Sequence, residues 1–405
     1  MNYEEAIKLT KKYGQEQLLD FYNELSEDKK ESLLNQISKI DFEYMKSLYE
    51  NKDNYEMLNK DITSMDAIDS KKINKEMYEK IGENSIKNGQ LAVCSMAGGQ
   101  GTRLGFNGPK ATYMLDIGRQ ASIFEIMTQK LKEAKEKYGV HIKWYIMTSE
   151  QNNDETVAFF EKNNYFGYDK NYIKFFKQGE LPLLDENGRV ILKEKDEIFM
   201  APDGNGGIFR ALGNSGILSE MKKNGVKYLA VGNVDNILIH MVDPLAIGLM
   251  IDKNAKILSK SFMKPRWDGK WGVFCKMDGK LRVIEYIETP EELLKACNSD
   301  GELLYGDAHF GCNFFSIDLL EKIEDEKLPM HAAFKKNAHV NAVGEHEEIN
   351  AYKFEAFIFD VFSATDDVLI LRVEKDKEFA PVKNKEGNES PETAVELYKK
   401  FYGIK

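Results

Sequence analysis

Cysteine is sparse in this 405-residue chain: Cys94, Cys275, Cys297 and Cys312 are scattered and form no CxxC pair. That pattern fits buried thiols rather than a disulfide framework or a metal cluster, and it points to a cytoplasmic setting. Histidine is scarce too. None of the six falls in a catalytic triad or zinc-ligand spacing. No apolar run approaches the roughly 18 residues of a membrane span, and the opening MNYEEAIKLTKKYGQ has no apolar core of a secretory signal. Positive charge is not in excess. With 56 Lys and Arg against 67 Asp and Glu, the net charge is −11, which argues against nucleic acid as a general partner. A local basic pocket for a nucleotide stays compatible with that balance. There is no internal repeat and no low-complexity tract; NKEGNESPE at 384–392 is a loop.

What is present is the composition of a globular protein, 42% hydrophobic and 30% charged, with length for two or three domains. Residues 1–88 read as helical. Leu19, Phe21, Tyr22, Leu25, Leu33, Leu34, Ile37 and Ile40 recur near helical spacing, and Ser26 before Glu27 and Asp28 is an N-cap signal. The charges Glu27–Glu31 read as a solvated face. From residue 91 onward strands and helices alternate, which predicts a largely parallel sheet. A helix is expected over Ile123–Lys137, a buried strand over 144–149, a helix over 151–163 and a strand over 227–236.

The chain is organised around LAVCSMAGGQGTRLGFNGPK, residues 91–110. Its apolar start is a buried strand. Gly98, Gly99, Gly101 and Gly105 then allow a turn whose N–H groups can face an anion. Arg103 and Lys110 follow, with Pro109 fixing the backbone before the lysine. The order differs from a Walker A loop, which has GK[ST] after its second glycine, and the glycine spacing differs from GxGxxG.

AGGQGTRLG followed by PK resembles the signature of nucleotidyltransferases that make nucleotide sugars. Its fuller wording is similar to the UDP-sugar pyrophosphorylase family, above all the eukaryotic-type UDP-N-acetylglucosamine pyrophosphorylases. The resemblance runs from about residue 19 to about residue 400. It implies an α/β fold: a Rossmann-like, mixed, mostly parallel sheet, with a helical N-terminal extension (1–88), a catalytic domain (89–405) and a β-rich insertion near 255–290. It also implies a compact version without the family's small C-terminal domain.

The remaining site residues rest on that resemblance to differing degrees. Gln178, in FFKQGELP, reads by spacing alone as a surface-loop amide; the resemblance makes it the reader of the uracil edge. In MAPDGNGGIFRAL (200–212), Pro202, Gly204, Gly206 and Gly207 form a tight loop in which Asp203 could simply cap a helix. The resemblance assigns Pro202 and Gly204 to the nucleotide and Asn205 to the sugar. Asp235 ends a predicted strand, where ligands of open α/β sheets bind and where a carboxylate can hold Mg²⁺. Spacing alone leaves a turn cap equally open; the resemblance of VDN favours the metal.

KILSKSF and WGVFCKMDGKLRVIEYIE, with the Asp278-Gly279 turn, predict a hairpin. Gly272, Glu285 and Tyr286 resemble sugar-side contacts. At 303–315 the sequence departs from the family, with Gly306 and Asp307 where asparagine and alanine are expected, so the sugar stays open at this point. Phe357 and Phe359 share one face if 352–362 is a strand, as core or pocket wall; the resemblance sets them beside the sugar. Asp360, amid apolar residues, needs a partner: a second metal contact, a hydrogen bond to the site or a salt bridge. Lys383 in EFAPVKN resembles a phosphate-binding lysine.

The resemblance thus implies a Mg²⁺-dependent uridylyltransferase acting on UTP and a sugar 1-phosphate. Arg103, Lys110 and Lys383 would be catalytic, Gly98, Gly99 and Gly101 would hold phosphates, and Asp235 with Asp360 would hold the metal. N-acetylglucosamine 1-phosphate is the expected sugar, and glucose or galactose 1-phosphate the alternative. A guanylyl- or thymidylyltransferase and a non-catalytic nucleotide-sugar sensor are the rival readings.

Overall fold

The computed structural model describes residues 1–53, 60–324 and 326–404. They divide into two compact units. The first gathers three separated segments, Met1–Asn59, Gly179–Gly207 and Lys327–Ile358; the second comprises Lys60–Gln178, Ile208–Glu326 and Phe359–Lys405. The expected division at residues 88 and 89 falls inside the second unit. It separates the helix Lys75–Lys87 from the strand Leu91–Met96, which belong to the same body.

The second unit is built on an 11-stranded sheet. Its main path runs Ile68–Asp69, Val368–Arg372, Ile257–Met263, Asp307–Ser316, Tyr228–Asn233, Leu91–Met96, Lys143–Thr148 and Ile173–Lys177. Every neighbouring pair on this path is parallel except the two made by Asp307–Ser316. The sheet is therefore mixed and mostly parallel. Leu91–Met96 is buried at all six positions, as its apolar start Leu91–Cys94 requires of a strand covered on both faces. Trp144 donates its indole N–H to Ser95 Oγ at 2.9 Å, so the one polar atom of that large side chain is satisfied inside the core. The helix Ile123–Tyr138 is capped by Ser122, which accepts from the Glu125 N–H, and ends at Gly139 in the left-handed conformation.

The chain departs from expectation in three places, two of them in this sheet. Ile62–Thr63 and Ile68–Asp69 are short strands within the stretch read as helical, and both join this sheet. Ile257–Met263 is a central strand and not part of an insertion; only Val273–Met277 and Lys280–Ile284 form the expected hairpin, with Asp278 and Gly279 both at positive φ. Finally, 352–362 is not one strand. His346–Glu355 ends before Phe357, and Ile358–Ala364 is a 3₁₀ turn, so strand alternation does not place Phe357 and Phe359 on a common face.

The first unit joins the N-terminal helices Tyr3–Tyr13, Glu27–Ser38 and Phe42–Glu50 to three small antiparallel pairs. Leu18, Phe21, Leu33, Ile37 and Phe42 share a core with Leu184, Val190, Val340 and Phe354. Two glutamines, Gln15 buried and Gln36 half-buried, tie the backbone across: Gln15 Oε1 accepts from Val190 N–H at 2.8 Å, and Gln36 Oε1 from Ile198 N–H at 2.8 Å. Leu19 to Leu25 lie in two short 3₁₀ turns rather than in a long helix. Ser26 occupies the N-cap position, but its side chain makes no capping bond.

Candidate functional site

All parallel strands of the main sheet end at one edge, and the chain leaves that edge in a series of loops. The strand order reverses direction between Leu91–Met96 and Tyr228–Asn233, the switch point at which open α/β sheets bind ligands. The glycine loop follows Met96, Asn152 follows Thr148, Gln178 follows Lys177, and Asp235 follows Asn233. Strand ends thus bring the glycine loop and three residues, far apart in sequence, to one edge.

The glycine loop is shaped by contacts that admit no side chain. A Cβ at Gly98 would lie 2.8 Å from Gln178 Nε2, so the glycine seats the Gln178 amide directly against the loop. A Cβ at Gly101 would lie 2.7 Å from Phe106. The Gly101 N–H does not join an anion cradle as expected. It closes the loop on Gly108 O at 3.0 Å, and the Lys110 N–H returns to Gly99 O at 3.1 Å. Of the three glycines expected at the phosphates, Gly98 is half-buried and Gly99 exposed. Asn152, fully buried, holds the loop from beneath: its Nδ2 donates to Ala97 O at 3.0 Å and Gly99 O at 3.3 Å, while its Oδ1 accepts from Ser149 N–H at 2.8 Å. Nothing in the sequence around Asn152 signalled that role.

The charged groups are arranged unequally. Lys110 Nζ lies 2.8 Å from Asp235 Oδ2, and both side chains are largely buried. Arg103 is exposed and makes no ion pair among the described residues. Lys383 Nζ lies 3.3 Å from Glu389 Oε2 and 5.6 Å over the Phe379 ring, so a phosphate would have to compete with Glu389 for it. The Val382 N–H donates to Asp235 O at 2.9 Å, which brings the expected metal and phosphate loops side by side.

Among the described residues no three His, Cys, Asp or Glu side chains cluster as a metal cage. One carboxylate such as Asp235 still fits Mg²⁺, which is commonly held by one or two carboxylates together with substrate phosphate oxygens. Asp360 is buried in the Ile358–Ala364 turn, and Ser363 Oγ donates to its carbonyl.

Of the residues expected on the sugar side in this unit, Gly272 and Glu285 meet across the hairpin: a Cβ at Gly272 would lie 3.1 Å from Glu285 Oε1. Tyr286 is exposed. Phe359 is buried, edge-on to His309 with centroids 5.6 Å apart. His309, absent from the sequence-based set, has its pKa pushed down to about 4 by burial, against the raising effect of its bond to Asn313. Asp307, one of the two departures from the family, has internal partners. It is buried and held by Arg372, with Nε at 2.8 Å from Oδ1 and Nη2 at 2.5 Å from Oδ2, and by Ser261 Oγ at 2.7 Å. Gly306 is packed on Met263 Sδ, which a Cβ would approach to 2.2 Å. The departure from the family at these two positions is thus accommodated by internal packing.

In the first unit, Met200–Pro202 pairs with Glu180–Pro182 and places Pro202 opposite Glu180. Gly204 sits at φ +90°, where a Cβ would lie 2.3 Å from Ala356 O. Asn205 is partly spent on structure: its Oδ1 accepts from the Ile358 N–H at 2.8 Å. Phe357 stacks obliquely on His331, centroids 4.5 Å apart. Asp203 is buried with its carboxylate against Gly179 and Gly207.

A mostly parallel sheet whose switch point carries a glycine loop, an amide seated on that loop and an acid–lysine pair is the framework of a nucleotide-binding transferase. Comparison with known proteins narrows the class. The family model of UTP–glucose-1-phosphate uridylyltransferase matches residues 38–387. A Dictyostelium discoideum protein named probable UDP-N-acetylglucosamine pyrophosphorylase is 34% identical, over 99% of this chain and 89% of its own length. The UDP-N-acetylglucosamine pyrophosphorylase of Saccharomyces cerevisiae is 36% identical, over 82% of this chain and 72% of its own. The crystal structure of the Trypanosoma brucei uridine diphosphate N-acetylglucosamine pyrophosphorylase superposes with a TM-score of 0.85 at 30% identity, covering 97% of this chain and 84% of that one. The chain belongs to the UTP–glucose-1-phosphate uridylyltransferase family, and it is a uridylyltransferase.

Proposed function

We propose that this enzyme joins UTP to N-acetylglucosamine 1-phosphate, giving UDP-N-acetylglucosamine and pyrophosphate. The observation that carries the sugar is its relatives. The Dictyostelium protein named for this product matches nearly the whole chain. In the proposed step an oxygen of the sugar 1-phosphate attacks the α-phosphorus of UTP in line; the new P–O bond forms as the bond to pyrophosphate breaks. Little covalent chemistry falls to the protein, so positioning and charge neutralisation dominate.

Gly98 and Gly99 would admit the triphosphate, and Gln178, seated on Gly98, would pair with the uracil edge. Arg103 and Lys110 would offset charge on the triphosphate and the leaving pyrophosphate. Lys383 would exchange Glu389 for the sugar phosphate. Asp235, with Asp360 as the second candidate, would hold Mg²⁺, which neutralises phosphate charge when bound. Gly204, Pro202 and Asn205 would serve uridine and sugar through backbone shape and through the Asn205 amide nitrogen. The scattered free thiols support a cytoplasmic setting.

Glucose 1-phosphate is the second reading, because the matching family model is described by that substrate. The test is pyrophosphate release with UTP and Mg²⁺ against the 1-phosphates of N-acetylglucosamine, N-acetylgalactosamine, glucose and galactose. Preference for N-acetylglucosamine is expected. Preference for glucose would replace the sugar, and no release with any of them from folded protein would overturn the reading.

A further inference from the structure

Two catalytic candidates, Asp235 and Lys383, lie 148 positions apart in sequence yet on loops that run side by side. The bonds joining those loops converge on one side chain. Asn236, 1% exposed, uses its whole amide: Nδ2 donates to Glu378 O at 2.7 Å, and Oδ1 accepts from Ala380 N–H at 2.8 Å and Leu238 N–H at 3.2 Å. The backbones add an isolated bridge between Asn236 and Pro381, an Ile237 N–H bond to Ala380 O at 3.1 Å, and the Val382 N–H bond to Asp235 O at 2.9 Å.

The far end of this clasp is itself anchored. Glu378 places both carboxylate oxygens on Lys260 Nζ, at 2.9 and 3.0 Å, and Lys260 is fully buried. The same ammonium reaches Asp243 Oδ2 at 2.7 Å and His240 O at 3.0 Å, both on the segment that continues from Asn236. A closed ring results, from Asn236 along the chain to Asp243, across Lys260 to Glu378, and back to Asn236. Neither loop can shift along the other without breaking several buried hydrogen bonds, each costly to leave unmade.

We infer that Asn236 is a positioning residue that sets the spacing between the Asp235 carboxylate and the Lys383 ammonium, and so couples the metal site to the sugar-phosphate site. This rests on the proposed roles of Asp235 and Lys383. Asn236 itself touches no substrate; it acts by fixing the backbone on which both groups stand. Groups that orient metal ligands in this way commonly govern affinity although they bind nothing. Gln178 and Gly98 make no bond to Asn236, Glu378 or Lys260, so they are expected to keep their share of UTP binding when the clasp is lost.

Asn236→Ala removes the clasp. Asn236→Asp keeps both acceptor bonds and sets a carboxylate against the Glu378 carbonyl. In either folded variant, the Mg²⁺ half-saturation and the KM for sugar 1-phosphate are expected to rise together by about tenfold. UTP affinity, measured without metal, is expected to stay at the wild-type value. Calorimetric titration of Mg²⁺ into the UTP-saturated protein reads the metal effect without turnover. Combined with Lys383→Ala, the Asn236→Ala loss in kcat/KM is expected to be less than additive, because the lysine it positions is gone.

A variant that only melts earlier, with Mg²⁺ half-saturation and KM unchanged, would overturn the assignment. So would full additivity with Lys383→Ala, or failure of both variants to fold, since each leaves Asn236 a purely structural residue. If the wild-type protein releases no pyrophosphate with any sugar 1-phosphate, the functional reading falls. The calorimetric shift would still report on Asn236 by itself.

Discussion

Single residues in this protein show how position changes the meaning of a side chain. Lys110 and Asp235 were assigned separately to phosphate and metal, and the fold makes them partners at 2.8 Å. Asp307, an unfamiliar residue in a sugar-side segment, is consumed by Arg372 and Ser261. His309 carries a pH-dependent consequence. Burial holds its pKa near 4, below the ordinary 6.5, so between those values the unfolded chain binds the proton more readily than the folded one. The folded state has the full benefit above about pH 6.5 and loses it as the pH falls toward 4. His309→Gln is therefore expected to flatten the fall in melting temperature across pH 6.5 to 4. A melting curve as steep as that of the wild type across this window would show that other groups cause the loss.

At the scale of elements, loops gain their rigidity from buried polar groups supplied by neighbouring strands and turns. Asn152, at the start of the helix Asn153–Lys162, grips the carbonyls of the glycine loop. Lys260, inside the buried strand Ile257–Met263, grips the short helix Lys375–Glu378 and the segment after Asn236. Its ammonium is held charged by Asp243 and Glu378 in spite of burial, and the same pairing pulls the Glu378 carboxyl down to about 2. Removing one member of such a cluster strands the others. Lys260→Met is expected to cost about 3–5 kcal/mol, because two carboxylates would stay buried with their cation gone. Denaturant unfolding would measure it, and a cost under about 1 kcal/mol, the size of an exposed pair, would mean that the cluster opens to water.

At the scale of the whole molecule, the N-terminal helices are part of a body that also contains the Gly204–Asn205 loop. Leu18, Leu33 and Ile37 fill a core otherwise formed by Leu184, Val190, Leu192, Ile198, Val340 and Phe354. Deletion of residues 1–53 is expected to leave segments 179–207 and 327–358 without that core and open to protease, while the sheet unit resists. Limited proteolysis of the truncated chain checks this. Survival of both segments would mean that the small antiparallel pairs hold without the helices. Three segments from the beginning, middle and end of the chain thus fold together, which is why the expected boundary near residue 88 does not describe the two units.

The parts of the site legible in the chain are those whose physics is local. A buried strand followed by glycines announces a phosphate loop, because strand burial and glycine backbone freedom both operate over a few residues. The hairpin at Asp278 and Gly279 and the strand leading to Asp235 were legible for the same reason, whereas the strand Ile173–Lys177 before Gln178 was not read. Asn236 stood in the quoted VDN string, yet its partners Glu378 and Ala380 lie more than 140 positions away. Spacing along a strand also misplaced Phe359, since the chain leaves the strand at Glu355 for a 3₁₀ turn. Lys260, set between Ser259 and Ser261, gave no sign in the sequence of its burial or of its carboxylates. Which distant groups satisfy a buried charge or amide depends on how the strands are ordered, and only the folded sheet fixes that order.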